Sequence, residues 1–354
     1  MELIYEYGLF LAKVVTFVAA LLILIAGLFA IGQRQRSEQQ EGHIEIRNLN
    51  EKYEHIGKTL SSVVEGPEET KQRQKDEKKA DKKKKKAEKK QSKKADGEKD
   101  TRKRLYVLDF DGDIKASAAD NLREEISAVL PQVRDGDEVL VKVESPGGLV
   151  HGYGLAASQL QRIRGAGVPL TIAVDKVAAS GGYMMACVAD RIISAPFAVI
   201  GSIGVLAQLP NFHRLLKKHD IDFELLTAGE YKRTLTVFGE NTDKGREKFL
   251  EELEETHELF KSFVRENRPA LDIDKVATGE VWYGQNAIDE GLVDELATSD
   301  AFVQARIEDW DVFEVKFVHK KNWQEKLGMA AEGAFERAFL KIWQRSTGDK
   351  DLIQ

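Results

Sequence analysis

Apolar residues are spread very unevenly along the chain. Residues 14–32 form an uncharged, almost wholly apolar run of 19 residues. As a helix, such a run is long enough to cross the ~30 Å hydrocarbon core of a bilayer. A cleaved signal peptide ordinarily has an apolar region of only ~7–15 residues behind a basic start. Here the start carries Glu2 and Glu6, and no small-x-small cleavage site follows. The pattern predicts one retained N-terminal transmembrane helix within 1–36. Residues 37–70 are polar and partly helical in spacing, and 71–104 is a Lys-rich stretch without apolar periodicity, expected as a disordered linker. Globular patterning begins at residue 105. The apolar run 105–110, closed by Asp111-Gly112-Asp113, predicts a buried strand and a turn. Leu122, Ile126, Val129, Leu130 and Val133 then recur at helical spacing over 118–133. Further strands are expected at 138–143 and 168–174, with a helix over 155–163 between them. The 168–174 strand leads straight into Ala178-Ala179-Ser180-Gly181-Gly182 and an apolar helix over 181–189. A strand at 223–226, a long amphipathic helix at 246–267 and a terminal helix at 331–344 complete the reading. Strands and helices alternating at these lengths predict an α/β layered fold of β-β-α-like units. One domain then spans 105–300, followed by a partly helical C-terminal extension, 301–354.

Charge sharpens this division. Residues 71–104 hold 18 Lys/Arg against 7 Asp/Glu; that +11 within a chain of net −6 leaves −17 elsewhere. Lysine dominates the block, acidic residues are scattered through it, and no aromatics are interleaved. These features describe a solvated tether rather than a nucleic-acid arm. The single cysteine, Cys187, excludes an intrachain disulfide and a cysteine-based zinc site. Lying in the apolar run 183–188, it reads as an inert core residue. Arg34 and Arg36 follow the apolar run, so the positive-inside rule places the long C-terminal part in the cytoplasm.

Ser180 stands where an apolar strand turns into an apolar helix. The first amides of a helix have no intrahelical acceptor and its dipole favours negative charge, so the Gly181 N–H is a ready oxyanion donor. The bland reading is a helix cap. Glycines 181 and 182 are expected to let a substrate backbone approach. Ser145-Pro146-Gly147-Gly148 offers a second loop whose amides can face a ligand, or simply a tight turn. A serine nucleophile needs a base. Of the seven histidines, His151, His213 and His219 fall nearest these segments, none in a motif-like setting. A lysine stripped of its proton by burial is the other possibility. Lys232, in Gly229-Glu230-Tyr231-Lys232 behind an apolar strand, is the best placed.

Together, the segments 145–148, 179–183 (ASGGY), 200–205 (IGSIGV), 229–232 and 282–294 (WYGQNAIDEGLVD) resemble, in that order, the signal peptide peptidase A family and within it the SohB-type branch. The resemblance covers 105–296 and extends to the anchor with its charged tether. It implies a Clp-protease/crotonase-like spiral of β-β-α units and a membrane-anchored serine endopeptidase with a Ser/Lys dyad. Carried over, Ser180 is the nucleophile, Lys232 the general base and Ser202 the hydroxyl that orients the lysine. Gly147 or Gly148, with Gly181, supplies the oxyanion amides. No metal or cofactor is implied. The expected partners are peptide or protein substrates, such as signal-peptide remnants or envelope proteins. Because Ser180 and Lys232 share one half-size domain, a ring-like homo-oligomer is expected, with Ser180 of one subunit meeting Lys232 of its neighbour. The resemblance also implies a bacterial inner membrane location with an extracytoplasmic catalytic domain, against the charge-based orientation. Rival readings are a crotonase-like acyl-CoA enzyme, where the Ser/Lys pair has no role, and a non-catalytic membrane scaffold.

Overall fold

The computed structural model describes residues 42–66 and 102–319, together with positions 13, 15–17 and 79. The apolar run 14–32, the Lys-rich linker and the 331–344 helix therefore lie almost wholly outside the described residues. Among the described residues no helix is long and apolar enough to cross a membrane. The chain forms two compact units, 44–316 and a second made of 1–43 with 317–354. In the second, the ring of Phe317 meets that of His319 edge-on at 5.2 Å.

In chain order the described elements are β1 (Gly42–Asn48), α1 (Leu49–Val64), β2 (Arg104–Asp111), α2 (Ala119–Val129), β3 (Glu138–Glu144) and α3 (Val150–Gly165). Next come β4 (Leu170–Val174), β5 (Val177–Ala179), α4 (Gly181–Ala186), β6 (Arg191–Ser194), β7 (Val199–Gly201) and α5 (His213–Lys218). The last are α6 (Asp243–Asn267), α7 (Ile273–Val276), β8 (Val281–Tyr283), α8 (Gly284–Ala287), β9 (Glu295–Leu296), α9 (Ser299–Gln304) and β10 (Asp311–His319). A seven-stranded sheet runs in the order β1-β10-β2-β3-β4-β6-β9 and is parallel from β10 to β9. A three-stranded sheet, β5-β7-β8, pairs β5 and β7 in parallel and β8 antiparallel. The fold is thus mixed α/β with mostly parallel strands.

Parallel strands covered on both faces read as continuous apolar runs, and β2 shows why. Tyr106, Leu108 and Phe110 point to one face with Val139, Val141 and Ile172; Leu105 and Val107 point to the other with Leu140 and Ala173. Helices α2 and α3 cover the first face through Leu122, Ile126, Leu160 and Ile163. Leu49 of α1 and Phe302 and Val303 of α9 cover the second. Each such fully buried side chain contributes about 1.5–3 kcal/mol.

The structure corrects several sequence expectations. Helix α3 starts at Val150 rather than 155, since Gly152 breaks the apolar pattern for a packing reason: a Cβ there would lie 2.7 Å from the Lys115 carbonyl oxygen. Helix α4 stops at Ala186, short of 189. No strand forms at 223–226; Phe223, Leu225 and Leu226 are exposed in an irregular segment that offers them no pairing partner. The sheet also reaches beyond 105–300, because β10 pairs in register with β2 (Asp311 opposite Arg104).

The 282–294 segment is scaffold. Asp294 accepts from Arg268 Nη1 at 2.8 Å and Nη2 at 2.7 Å, and from the Ile192 N–H at 2.7 Å. Arg268 also donates to the Gly291 carbonyl at 2.9 Å. The turn so fixed presents the Leu292 carbonyl to the buried Tyr183 hydroxyl of α4 at 3.1 Å. Burial alone pushes the Asp294 carboxyl up, but the Arg268 guanidinium and the Ile192 N–H override it and hold it below the usual carboxylate range. A depressed folded-state value stabilises the fold above the unfolded value of ~3.9, and that contribution is lost as pH falls through the folded value. Asp294→Asn is therefore expected to unfold at lower urea concentration than the parent at neutral pH. The gap between the two should close on acidification below about pH 4, as urea titrations across pH will show.

Candidate active site

The site is assembled where three parallel segments end side by side. Ser145, directly after β3, bridges to β5: its N–H donates to the Val177 carbonyl at 2.8 Å, and its carbonyl accepts from the Ala179 N–H at 3.0 Å. Strand β5 in turn pairs with β7, Ala179 opposite Gly201, and the Ser180 N–H donates to the Gly201 carbonyl at 2.8 Å. The residues just past these ends are 146–149, Ser180-Gly181 and Ser202. Ligands of open parallel sheets sit at such carboxyl ends.

Ser180 has φ 52° and ψ −116°, a conformation that non-glycine residues adopt at a cost of ~1–3 kcal/mol. Ser180 is the single residue between β5 and α4, so the chain reverses through it. Its carbonyl accepts the first helical bond, from Met184 N–H at 2.9 Å. Its side chain makes no capping bond, so the plain helix-cap reading fails and the half-buried hydroxyl is left available. With α4 only six residues long, the junction's asset is the bare Gly181 amide rather than a macrodipole. That N–H donates to no group among the described residues.

The glycines of both motifs are packing requirements. A Cβ on Gly181 would lie 2.3 Å from Tyr153 Cγ, and one on Gly182 would lie 2.6 Å from the Ser145 carbonyl oxygen. Space expected for a substrate backbone at 181 and 182 is thus taken by α3 and the Ser145 loop. Gly147, at φ 92°, would place a Cβ 2.7 Å from Ser180 Cβ, so only glycine lets this loop touch the serine. Ser202, at φ 51°, follows Gly201 on β7 and is half-buried; its N–H donates to the Glu280 carbonyl at 2.6 Å. It therefore neighbours Ser180 across the β5–β7 ladder.

A buried hydroxyl pair lies beneath the loop. Ser145 Oγ and Tyr153 Oη, both on fully buried residues, are 2.5 Å apart. Tyr153 Oη donates to the Asp113 carbonyl at 2.8 Å, and Gly147 N–H donates to Ser145 Oγ at 3.1 Å. Sequence reading missed Tyr153. Its one visible signal is a large aromatic between Gly152 and Gly154 at the start of a helix.

Lys232 is not brought into this cluster. Its side chain is exposed in the irregular segment between β7 and α6, its N–H donates to the Gly229 carbonyl at 3.2 Å, and among the described residues no hydrogen bond or ion pair engages its ammonium. His151 and His219 are exposed, and no hydrogen bond joins His151, His213 or His219 to Ser180. Cys187 is fully buried and donates to the Met184 carbonyl at 3.2 Å; burial pushes its thiol far up, which makes it the inert core residue expected.

Two adjoining family profiles match the chain: "Peptidase family S49 N-terminal" over 2–160 and "Peptidase family S49" over 162–312. The chain belongs to peptidase family S49. Within that family it is 54% identical over 332 residues to a "Probable protease SohB" of Haemophilus influenzae, with 94% of each chain covered. The corresponding protein of Buchnera aphidicola from Acyrthosiphon pisum is 46% identical over 344 residues, covering 97% of this chain and 98% of that one. "Protease 4" of Haemophilus influenzae is 27% identical over 203 residues, 55% of this chain and 33% of its own. The S49 peptidase described here is of the SohB type, and its activity is proteolysis.

The glycine geometry gives opposite expectations for two substitutions around Tyr153. Gly181→Ala drives a methyl into the Tyr153 ring and is expected to cost about 1–3 kcal/mol. Gly154→Ala, on α3 with nothing within 4 Å of its Cβ, is expected to stabilise by up to about 1 kcal/mol. Thermal unfolding of both variants checks the pair.

Proposed function

We propose that this chain is a membrane-anchored serine endopeptidase that works through a Ser180/Lys232 dyad. The observation that carries the reading is Ser180 itself: a strained, half-buried serine with an uncapping hydroxyl, touching Gly147 and beside the unused amide of Gly181. The neutral amine of Lys232 takes the Ser180 hydroxyl proton as Oγ bonds to the carbonyl carbon of the scissile peptide. The electron pair moves to the carbonyl oxygen, which Gly181 and one amide of the Gly147-Gly148 pair receive. Each such donor is worth about 10²–10³-fold in rate. When the tetrahedral adduct collapses, the C–N bond breaks and the lysine proton leaves with the amine. Water then hydrolyses the acyl-enzyme by the same proton path. Ser202 orients the lysine. The finer fold, a Clp-protease/crotonase-like spiral, belongs to the same reading.

The position of Lys232 supports a site shared between subunits. A lysine acts as base only once desolvated, and in a single chain Lys232 is exposed. Along the same segment of chain, Leu206 and Leu226 are 79% and 89% exposed, and Phe212, Ile221, Phe223 and Phe238 are also exposed. Apolar surface on this scale marks an interaction site. A ring-like homo-oligomer that lays this segment over the neighbour's Ser180 covers those side chains and dries the lysine together. On the same reading the apolar run 14–32 anchors the enzyme in a bacterial inner membrane; the family resemblance, against the charges flanking that run, favours an extracytoplasmic catalytic domain with signal-peptide remnants or envelope proteins as substrates.

Fluorophosphonate labelling of the purified protein tests the dyad. Labelling is expected in the parent and absent in both Ser180→Ala and Lys232→Ala; full labelling of Ser180→Ala overturns the assignment. Co-expressing the two variants is expected to restore part of the activity in mixed rings, and none recovered refutes the shared site. A C-terminal alkaline phosphatase fusion should be active, whereas an inactive one places the domain in the cytoplasm.

A further inference from the structure

We propose that the buried Ser145 and Tyr153 hydroxyls are a positioning pair, which holds the 145–149 loop so that the Gly148 amide is the one left free for the oxyanion. The proposal rests on the serine-peptidase reading above and deepens it.

The argument is an accounting of donors in the 145–149 loop. Ser145 N–H is spent on the Val177 carbonyl at 2.8 Å, and Pro146 has no N–H. Leu149 N–H is spent on the Ile114 carbonyl at 2.8 Å. Gly147 N–H is spent on Ser145 Oγ at 3.1 Å. Gly148 N–H alone donates to nothing among the described residues. Gly147, for all its contact with Ser180, therefore gives the loop its left-handed turn and not its donor.

The protons of the hydroxyl pair are assigned by the same accounting. Tyr153 Oη has one proton and donates it to the Asp113 carbonyl at 2.8 Å. It can then only accept from Ser145 at 2.5 Å, so Ser145 Oγ donates to the tyrosine and keeps its lone pairs for Gly147 N–H. The result is a one-way chain from Gly147 N–H through Ser145 and Tyr153 to the Asp113 carbonyl. Both hydroxyls are fully buried and closed in by Gly112, whose Cβ would lie 2.5 Å from Tyr153 Oη and 2.6 Å from Ser145 Oγ. Burial raises the Tyr153 hydroxyl above the usual phenol value, although its bond to Ser145 pulls the other way. The tyrosine thus stays protonated throughout the neutral range and the chain keeps its direction. An unpaired buried amide is costly; without Ser145 Oγ, Gly147 N–H has that cost to relieve by turning the Pro146–Gly147 peptide, which moves the adjoining Gly148 amide.

The test uses the full chain in detergent, with fluorescein-casein as substrate and acetyl-Leu-Leu-norleucinal as a probe that forms a tetrahedral oxyanion on a reactive serine. Ser145→Ala is expected to lower kcat about 100-fold with KM within about two-fold, on the scale of losing one oxyanion donor. Tyr153→Phe keeps the ring against Gly181 and leaves Ser145 Oγ in place, so about a 10-fold loss is expected from the freed hydroxyl rotor. In both, aldehyde affinity should fall in step with kcat, a readout that loss of fold alone does not move. Lower melting temperatures with kcat per folded molecule and aldehyde affinity unchanged overturn the proposal. Undiminished or raised kcat and aldehyde affinity in Ser145→Ala also overturn it, because freeing Gly147 N–H then helps and Gly147 is the donor. Parent protein that cleaves casein but is blind to both the aldehyde and the fluorophosphonate refutes the serine reading itself, and this proposal with it.

Discussion

Everything at the candidate site hangs on one short backbone bridge. Two hydrogen bonds, Ser145 N–H to Val177 and Ala179 N–H to Ser145, join the end of β3 in the large sheet to β5 in the small one. Through them, a strand buried on both faces fixes where Ser180 stands, and β5 then sets Ser202 through β7. The bridge sets the Ser145 carbonyl against Gly182 while Tyr153 of α3 closes on Gly181, so both positions have space for glycine only. Strain at Ser180, of order 1–3 kcal/mol, is affordable because a core this extensively buried holds the junction in place.

What was legible in the sequence follows from how each element is stabilised. β2, β3 and β4 were readable because strands covered on both faces carry unbroken apolar runs. α2 and α6 were readable because each shows a helical stripe against a polar face. The short strands β6 to β9 were not: two to four residues carry no period, and they are held by pairing partners distant in sequence. Conversely, the apolar triplet within 223–226 looked like a strand but has no partner in a single chain. Apolar content records that a segment must be covered, and is silent about by what.

At the site, the serine, its flanking glycines and the neighbouring Ser202 were legible as motifs, while the reasons for them were not. Sequence reading made Gly181 and Gly182 a path for substrate; the structure gives that space to Tyr153 and Ser145. Tyr153 escaped notice because its role depends on α3 starting five residues earlier than its apolar spacing suggests. Lys232 stood out in the sequence as the best-placed lysine behind an apolar run, but only the family resemblance gave it a role, since a lysine beside Arg233 on an exposed segment carries no local mark of basicity.

The cause of the glycines has a consequence for how such chains are recognised. Glycines at 112, 181 and 182 are demanded by neighbours a few ångströms away, whether or not Ser180 ever attacks a carbonyl. A descendant that lost its nucleophile would still be forced to keep them, as long as it kept the fold. The motif is thus a signature of architecture, and chains that carry it can outlive their chemistry. Sorting working enzymes from silent copies falls to the few positions that packing leaves free to drift.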